Sequence, residues 1–252
     1  MGIEVQPHGD VTLLRIKGGR ANAMSVDLLK QLEGAFADVA HDKGAKAVVL
    51  TGDGNAFSAG LALPDLIALD RPAMRDFIAA FERSMQRVLT TPKPVVAALN
   101  GHAIAGGCVL ALMCDARLAA QGGAKVGLNE VQLGIGLPSL VIEPLRARVP
   151  ASSLLPVAYE GRLFGVDDAH RLGLLDAVVP AAELEAMALA RAKELGKAPQ
   201  AFAQIKQALL RPVLEAITRN APADREAWLD SWFSPEARRL LEAAVAKLTS
   251  RA

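Results

Sequence analysis

Short apolar runs alternate with amphipathic stretches in the first half of the chain, and this alternation constrains the fold most. VTLLRI (11–16) and KAVVLTG (46–52) have the length and composition of strands. Between them, SVDLLKQLEGAFADVAHD (25–42) has helical spacing, with Ser25 placed to cap its amino end. A second helix is predicted over about 72–89. The pattern predicts an α/β fold.

The alternation continues and then gives way to helix. PVVAAL (94–99), DARLAA (115–120) and KVGL (125–128) are predicted strands, with an apolar helix before the second of them, near 106–113. From Pro138 onward the pattern is almost wholly helical, interrupted by a predicted strand at LLDAVV (174–179). We therefore predict an α/β core over residues 1–195 and a helical C-terminal region over 196–252.

Composition excludes several classes of protein. With 52% hydrophobic residues and a net charge of +1, the chain can bury a core, so it is not a disordered chain. The 28 basic residues are interspersed with 27 acidic ones, which argues against nucleic acid or a membrane surface as a partner. Cys108 and Cys114 indicate buried thiols of a reducing compartment. Because the start, MGIEVQPHGD, also lacks a signal-peptide pattern, we expect a cytoplasmic protein.

Several common catalytic motifs are missing. TGDGNAFSAG has Phe57 where a dinucleotide-binding loop needs its third glycine, and the chain has no P-loop and no GxSxG nucleophile elbow. The four histidines are scattered and form no pair at zinc-ligand spacing, so no metal is expected.

Two glycine-bearing turns each lead from a strand towards a helix, AFSAGL (56–61) and HAIAGGCVL (102–110). The first backbone amides of a helix lack intrahelical partners and carry about half a positive charge. Two such turns facing one cavity would bind an oxyanion. Taken alone, glycines of this kind more often only permit tight turns and close packing.

The turns also occur in a specific order with other segments. AFSAG, PKPVVAALNGHAIAGGC, CDARLA and GLNE follow one another at spacings that resemble the crotonase superfamily, the enoyl-CoA hydratases and isomerases. The resemblance covers nearly the whole chain. It implies a β-β-α superhelical spiral with a helical C-terminal region that mediates assembly as a homotrimer or hexamer. It also implies an acyl-CoA thioester as substrate, with coenzyme A belonging to the substrate rather than acting as a cofactor.

The resemblance assigns the oxyanion hole to the backbone amides of Leu61 and Gly106. Their neighbours Ala59, Gly60 and Gly107 are then expected to contact the substrate.

Two acidic positions distinguish reactions within this family. Hydratases resembling this chain carry a glutamate directly after the second turn, where this chain has Val109, and another where it has Glu130. Addition of water needs a group that activates the water and a group that manages the α proton, whereas a double-bond shift needs one carboxyl group. The segments FSAGL, GGCVLAL and GLNEVQLGI resemble the monofunctional Δ3,Δ2-enoyl-CoA isomerases. Glu130 is therefore the predicted base, and hydratase activity is expected to be weak or absent.

Alternative functions stay open. One is a hydratase-like enzyme or another lyase or hydrolase of the family acting on an acyl-CoA; another is a non-catalytic CoA-ester binder. In the alternative interpretation, Glu130 is a surface carboxylate that caps the following helix. Asn129 either hydrogen-bonds Glu130 or only makes the turn. Glu143 is the next acid to test.

Three further residues complete the predicted substrate contacts. Ala62 stands where family members usually have an aspartate, so the neighbouring loop is expected to be held differently from theirs. His102 is a candidate for the acyl pocket, although a packed histidine is the more common outcome. Lys247 is the candidate for binding the phosphates of coenzyme A, with Lys206 and Lys17 as weaker choices. Trp228 and Trp232 are expected to pack against the core or a partner subunit.

Overall fold

A computed structural model describes residues 2–250 of the chain, and ten strands in this range form two sheets. The strands are β1 (Gly2–His8), β2 (Val11–Lys17), β3 (Ala47–Gly52), β4 (Ala56–Ser58), β5 (Val95–Leu99), β6 (His102–Ile104), β7 (Ala116–Ala120), β8 (Lys125–Gly127), β9 (Phe164–Gly165) and β10 (Ala177–Val179).

The larger sheet has the order β1-β2-β3-β5-β7-β10. Only β1 and β2 pair in antiparallel fashion; the other pairs are parallel, with Leu14 opposite Leu50 and Val49 opposite Val96. Parallel strands need crossover connections that cover both faces of the sheet, so the central strands are apolar throughout. The buried β3 and β5 confirm the predictions from KAVVLTG and PVVAAL.

The smaller sheet has the order β4-β6-β8-β9, and β4, β6 and β8 run parallel. Each of these three parallel strands has only three residues. Such strands are too short to show a period of two, so β4 and β6 were not predicted from the sequence.

Nine α-helices lie in residues 2–250. They are α1 (Val26–His41), α2 (Leu63–Leu66), α3 (Arg71–Leu89), α4 (Gly106–Met113), α5 (Ser139–Arg148), α6 (Val166–Arg171), α7 (Leu184–Leu195), α8 (Pro199–Trp232) and α9 (Pro235–Thr249). The Ser25 hydroxyl accepts a hydrogen bond from the Leu28 amide, which confirms the predicted cap of α1.

A β-β-α unit occurs three times in succession. The first unit consists of β3, β4 and α3, with the short α2 inserted before α3. The second unit consists of β5, β6 and α4, and the third of β7, β8 and α5. In every unit the first strand lies in the larger sheet and the second in the smaller one. This arrangement confirms the predicted spiral.

The core occupies both faces of the larger sheet. One face packs against α7 through Leu184, Ala188 and Ala192, and the other packs against α1, α3 and α4. Successive side chains of a strand point to opposite faces of the sheet, so Val49 packs on the α7 side and Leu50 on the side of α1, α3 and α4.

The C-terminal region differs in detail from the prediction. The strand predicted at 174–179 is limited to β10, because Leu174 and Leu175 are buried in the connection after α6. The helix α8 has 34 residues with Pro212 and Pro222 inside it, and α9 follows. No helix within residues 2–250 is both long and apolar enough to cross a bilayer.

Candidate active site

The second strands of the three β-β-α units end at one edge of the smaller sheet. Residues 59–61 follow β4, residues 105 and 106 follow β6, and residues 128–130 follow β8. Because these strands are parallel neighbours, the segments that leave their carboxyl ends lie side by side. The fold thus brings Leu61, Gly106 and Glu130 to one place, although they span 70 residues of sequence.

The first turn depends on a glycine in the left-handed region. Gly60 has φ +89°, and a Cβ there would lie 2.8 Å from the carbonyl oxygen of Ile104. The Gly60 carbonyl accepts a hydrogen bond from the Met24 amide at 2.7 Å. Since a trans peptide is planar, this bond directs the Leu61 N–H of the same peptide away from Met24. No acceptor for that N–H is found among residues 2–250.

The second turn places a helix terminus beside the first turn. Ala105 has φ 50° and ψ −122°, an uncommon conformation for a residue with a side chain, and its amide donates to the Gly127 carbonyl at 2.9 Å. α4 begins at Gly106, so the Gly106 N–H has no intrahelical acceptor. A Cβ on Gly60 would lie 3.1 Å from the Gly106 nitrogen. The two turns are therefore in direct contact.

An apolar inner cavity of about 110 Å³ opens beside these turns. Glu130 and Val109 both line it, and Glu130 is the one titratable group on its wall within the described residues. Its apolar lining includes Leu61, Leu63, Ile78, Phe81, Ile104, Leu133, Ile135, Leu137, Val141, Trp228 and Trp232.

Glu130 begins a short 3-10 turn, Glu130–Leu133. Its Oε2 atom is out of contact with solvent and has no hydrogen-bond partner among the described residues. Burial raises the pKa of Glu130 to about 7, opposed in part by a hydrogen bond from its own backbone amide. A carboxyl group with this pKa can both accept and return a proton near neutrality. Glu130 is half-buried as a residue, but its carboxyl group lies on the cavity wall, so it is not the surface cap considered above.

Asn129 also lines the cavity, but no hydrogen bond joins it to Glu130. Its Oδ1 atom is buried and has no partner among residues 2–250. The structure therefore does not support the hypothesis that Asn129 orients the glutamate directly.

Trp228 and Trp232 of α8 form part of the cavity wall. Their rings stack with centroids 5.2 Å apart, and Trp232 is fully buried. The predicted packing of these tryptophans against the core is confirmed. The sequence did not predict that they also line the cavity. Their spacing of four residues indicated one helical face without showing that the face closes a cavity.

Ion pairs hold this part of α8 against α3. Arg71 binds Asp230 at 2.6 Å, Arg75 binds Glu226 at 2.9 Å, and Arg225 donates to Glu82 at 3.0 Å. α3 supplies Ile78 and Phe81 to the cavity, so both helices contribute to its wall.

An outer cavity of about 590 Å³ meets the inner one at Ala59, Leu61 and Leu63, which line both. Ala62 and Leu248 line the outer cavity alone. The two cavities are therefore neighbours at the first turn.

The remaining predicted contact residues lie off the cavity walls. Gly107 packs beneath the first turn, where a Cβ would lie 2.0 Å from the Ser58 carbonyl oxygen. His102 is half-buried on β6, and its Nδ1 accepts a hydrogen bond from the Lys125 amide. Lys247 is exposed in the last turn of α9, next to Leu248.

The two weaker lysine choices are engaged elsewhere. Lys206 is buried and binds Asp115 at 2.8 Å, and Lys17 pairs with Glu4 at 2.6 Å. Asp115 also lies 3.7 Å from Arg148, so it is an ion-pair aspartate.

Two adjoining turns, a carboxyl group with a buried oxygen and an apolar cavity thus lie together on a β-β-α spiral. The chain belongs to the enoyl-CoA hydratase/isomerase family, whose model matches residues 8–240. This finding confirms the resemblance inferred from the sequence.

Some relatives of this chain are named hydratases and others isomerases. The chain is 36% identical over 198 residues to a putative enoyl-CoA hydratase of Thermus thermophilus, covering 76% of each chain. It is 28% identical over 211 residues to human mitochondrial enoyl-CoA delta isomerase 1, covering 83% of this chain and 70% of that one. The crystal structure of human mitochondrial Δ3,Δ2-enoyl-CoA isomerase superposes with a TM-score of 0.94 at 25% identity, over 100% of this chain and 99% of that chain.

Proposed function

We propose that this protein is a Δ3,Δ2-enoyl-CoA isomerase that shifts a β,γ double bond of an enoyl-CoA thioester to the α,β position. The observation that carries the proposal is the pairing of Glu130 with Val109 on the cavity wall. One carboxyl group and one aliphatic side chain occupy the positions where the resembling hydratases have two glutamates.

The proposed substrate follows the two cavities. The coenzyme A part lies in the outer cavity, and the acyl part enters the inner one. The thioester carbonyl then lies at the shared residues, against the free N–H groups of Leu61 and Gly106. Coenzyme A arrives and leaves as part of the substrate.

Glu130 performs both proton transfers in this proposal. Its carboxylate removes a proton from the α carbon, and the electron pair of that C–H bond delocalises onto the thioester oxygen. The two amides stabilise this negative charge, and removing one such donor typically costs about 3 to 4 kcal/mol of transition-state stabilisation. The protonated Glu130 then delivers the proton to the γ carbon, which regenerates the carboxylate and leaves the double bond between the α and β carbons.

Hydration asks more of the site. A water molecule must be activated while the α carbon is protonated, and Val109 can do neither. Glu130 is the one titratable group on the inner wall in the described part of the chain, which supports isomerisation over hydration.

The test compares two reactions in wild type and Glu130→Gln. We expect rapid conversion of 3-hexenoyl-CoA to its conjugated isomer, little hydration of crotonyl-CoA, and loss of isomerisation by about 10³-fold in the variant. Glu143→Gln is the control, because Glu143 lies off the cavity and pairs with Arg146 at 3.5 Å. Hydration faster than isomerisation in the wild type would overturn the assignment.

Assembly and location are part of the proposal. We propose a homotrimer or hexamer in which residues 196–252 mediate subunit contact, since Ile205 and Leu209 of α8 are 60% and 71% exposed. We also propose a role in fatty-acid-type CoA metabolism in the cytoplasm.

A further inference from the structure

Ser58, at the end of β4, is buried and lies outside both cavities. Its Oγ donates a hydrogen bond to the Asn22 carbonyl at 2.8 Å and accepts one from the Gly60 amide at 3.2 Å. The hydroxyl is therefore an internal bridge between the loop before α1 and the first turn of the site.

The loop that receives this bridge is itself rigidly held. Asn22 is buried, and its Oδ1 accepts from the Gly18 amide at 3.0 Å while its Nδ2 donates to the carbonyls of Asp53 and Ala56 at 3.0 and 2.8 Å. Each polar atom of the Asn22 side chain thus has a backbone partner. A carbonyl anchored in this way is a fixed point from which to orient another group.

The backbone N–H and the backbone carbonyl of Gly60 are both held by hydrogen bonds. The Ser58 hydroxyl holds its N–H, and the Met24 amide holds its carbonyl. The Gly60 carbonyl and the Leu61 N–H belong to one planar peptide, so the direction of the Leu61 N–H follows from these two bonds. At a glycine with φ +89°, no side chain limits rotation, and the hydrogen bonds must do so.

Ser58 also touches the second turn. A Cβ on Gly107 would lie 2.0 Å from the Ser58 carbonyl oxygen and 3.0 Å from its Cβ. The residue therefore lies between the turn that carries the Leu61 amide and the start of α4, which carries the Gly106 amide.

We propose that Ser58 is a positioning residue that sets the direction of the Leu61 amide and its spacing from the Gly106 amide. This inference rests on the proposed thioester chemistry. Ser58 does not contact the substrate; its effect passes through the Gly60 peptide.

The matched control is Ser84, a second fully buried serine. Its hydroxyl donates to the Leu29 carbonyl at 3.1 Å, between α3 and α1 and off both cavities. Ser58→Ala and Ser84→Ala each remove one buried hydroxyl, so a general loss of stability appears in both variants. Only the Ser58 variant releases the oxyanion turn.

For isomerisation of 3-hexenoyl-CoA, Ser58→Ala is expected to lower kcat by about tenfold, less than the 10²–10³-fold typical of deleting an oxyanion donor. KM should stay within about twofold of wild type, because the turn is loosened without losing substrate contacts. Ser84→Ala should leave both parameters unchanged. Equal effects in the two variants, or no effect of Ser58→Ala, would overturn the proposal.

A second measurement does not require turnover. The infrared carbonyl stretch of bound butyryl-CoA, a saturated thioester, reports polarisation by the two amides. We expect the shift to lower frequency in wild type and Ser84→Ala to be smaller in Ser58→Ala. If butyryl-CoA is polarised and 3-hexenoyl-CoA is not isomerised, the isomerase proposal fails while the role of Ser58 is still tested.

Ser58→Cys covers the case in which Ser58→Ala does not fold. A thiol is a weaker hydrogen-bond donor and acceptor of similar shape. The expected order of kcat and of carbonyl shift is Ser, then Cys, then Ala. A Ser58→Cys protein indistinguishable from Ser84→Cys contradicts the proposal.

Discussion

The Met24 amide donates to the Gly60 carbonyl at 2.7 Å, and this bond joins the loop before α1 to the turn after β4. Through the planar Gly60–Leu61 peptide, it directs the Leu61 N–H away from Met24. A group that the proposed chemistry needs is thus oriented by a residue far from it in sequence.

Replacing Gly60 by alanine tests this arrangement. We expect Gly60→Ala to lose stability by about 2 kcal/mol or more, because φ is +89° and the new Cβ would lie 2.8 Å from the Ile104 carbonyl. Isomerase kcat should fall by at least about tenfold. Chemical denaturation and steady-state kinetics measure the two effects.

Gly34 of α1 is the control for that substitution. A Cβ there meets nothing within 4 Å, so Gly34→Ala should stabilise the helix by about 0.5–1 kcal/mol and leave kcat unchanged. Comparable activity in Gly60→Ala and Gly34→Ala would contradict the proposed role of the turn.

The raised pKa of Glu130 predicts how activity depends on pH. The ionised carboxylate is the base, and burial raises its pKa to about 7, so kcat/KM should rise with pH and level off above about 7. A flat profile between about pH 5 and 8 would argue against Glu130 as the base that reacts in the free enzyme.

The same pKa predicts a cost in stability. In the unfolded chain the Glu130 carboxyl group releases its proton near pH 4.5, whereas the folded state holds that proton to about pH 7. The free energy of unfolding should therefore fall as pH rises from about 4.5 to 7. Above that range, Glu130→Gln should be more stable than wild type by on the order of 3 kcal/mol, and near pH 4 the two should be equal. Denaturant unfolding at both pH values measures this, and Glu143→Gln should show no such difference.

Restoring a second carboxyl group tests the distinction from hydratases. Val109 is buried and lines the cavity, so Val109→Glu brings a second acid to the wall. We expect hydration of crotonyl-CoA to increase by at least about tenfold. Val109→Met, which adds volume without charge, should not increase it; an increase in both variants would point to cavity shape instead.

The buried pair of Lys206 and Asp115 is expected to serve stability alone. Its atoms lie 2.8 Å apart, and the Lys206 side chain is 7% exposed. Lys206→Met should destabilise the protein by about 3 kcal/mol, because it removes a partner of a largely buried carboxylate. KM for the CoA thioester should not change. The exposed Lys193 provides the control Lys193→Met, for which neither quantity should change.

Assembly is tested on α8. Light scattering is expected to show a trimer or hexamer, and Leu209→Asp should shift it towards smaller species by placing charge in an apolar contact. Glu215→Lys is the control, since Glu215 lies on α8 and is not a large exposed apolar residue. A wild-type monomer would contradict the proposed assembly.

The sequence predicted the strands of the larger sheet apart from β1, and the helices α1 and α3, because most of these elements are long and buried. KAVVLTG and the segment capped by Ser25 have enough residues to show their periods. The strands β4 and β6 have three residues each and were not predicted, because so short a strand shows no period.

Only the site residues that lie within recognisable sequence motifs could be predicted. The resemblance identified Leu61, Gly106 and Glu130, and the structure brings them together after equivalent strands. The resemblance could not show that Trp228 lines the cavity, because that depends on how α8 packs. Nor could it show that His102 lies outside the cavity, where its ring accepts a hydrogen bond from the Lys125 amide. The role of Ser58 depends on two hydrogen bonds that leave no trace in a single sequence.

The stacked Trp228 and Trp232 also bear on the order in which the walls of the inner cavity are synthesised. The two turns and Glu130 belong to segments that leave the ribosome before these tryptophans do. A nascent chain that stops before α8 therefore carries the proposed reacting groups but lacks the part of the inner cavity wall that Trp228 and Trp232 supply. The cavity can take its full shape only after α8 has been synthesised.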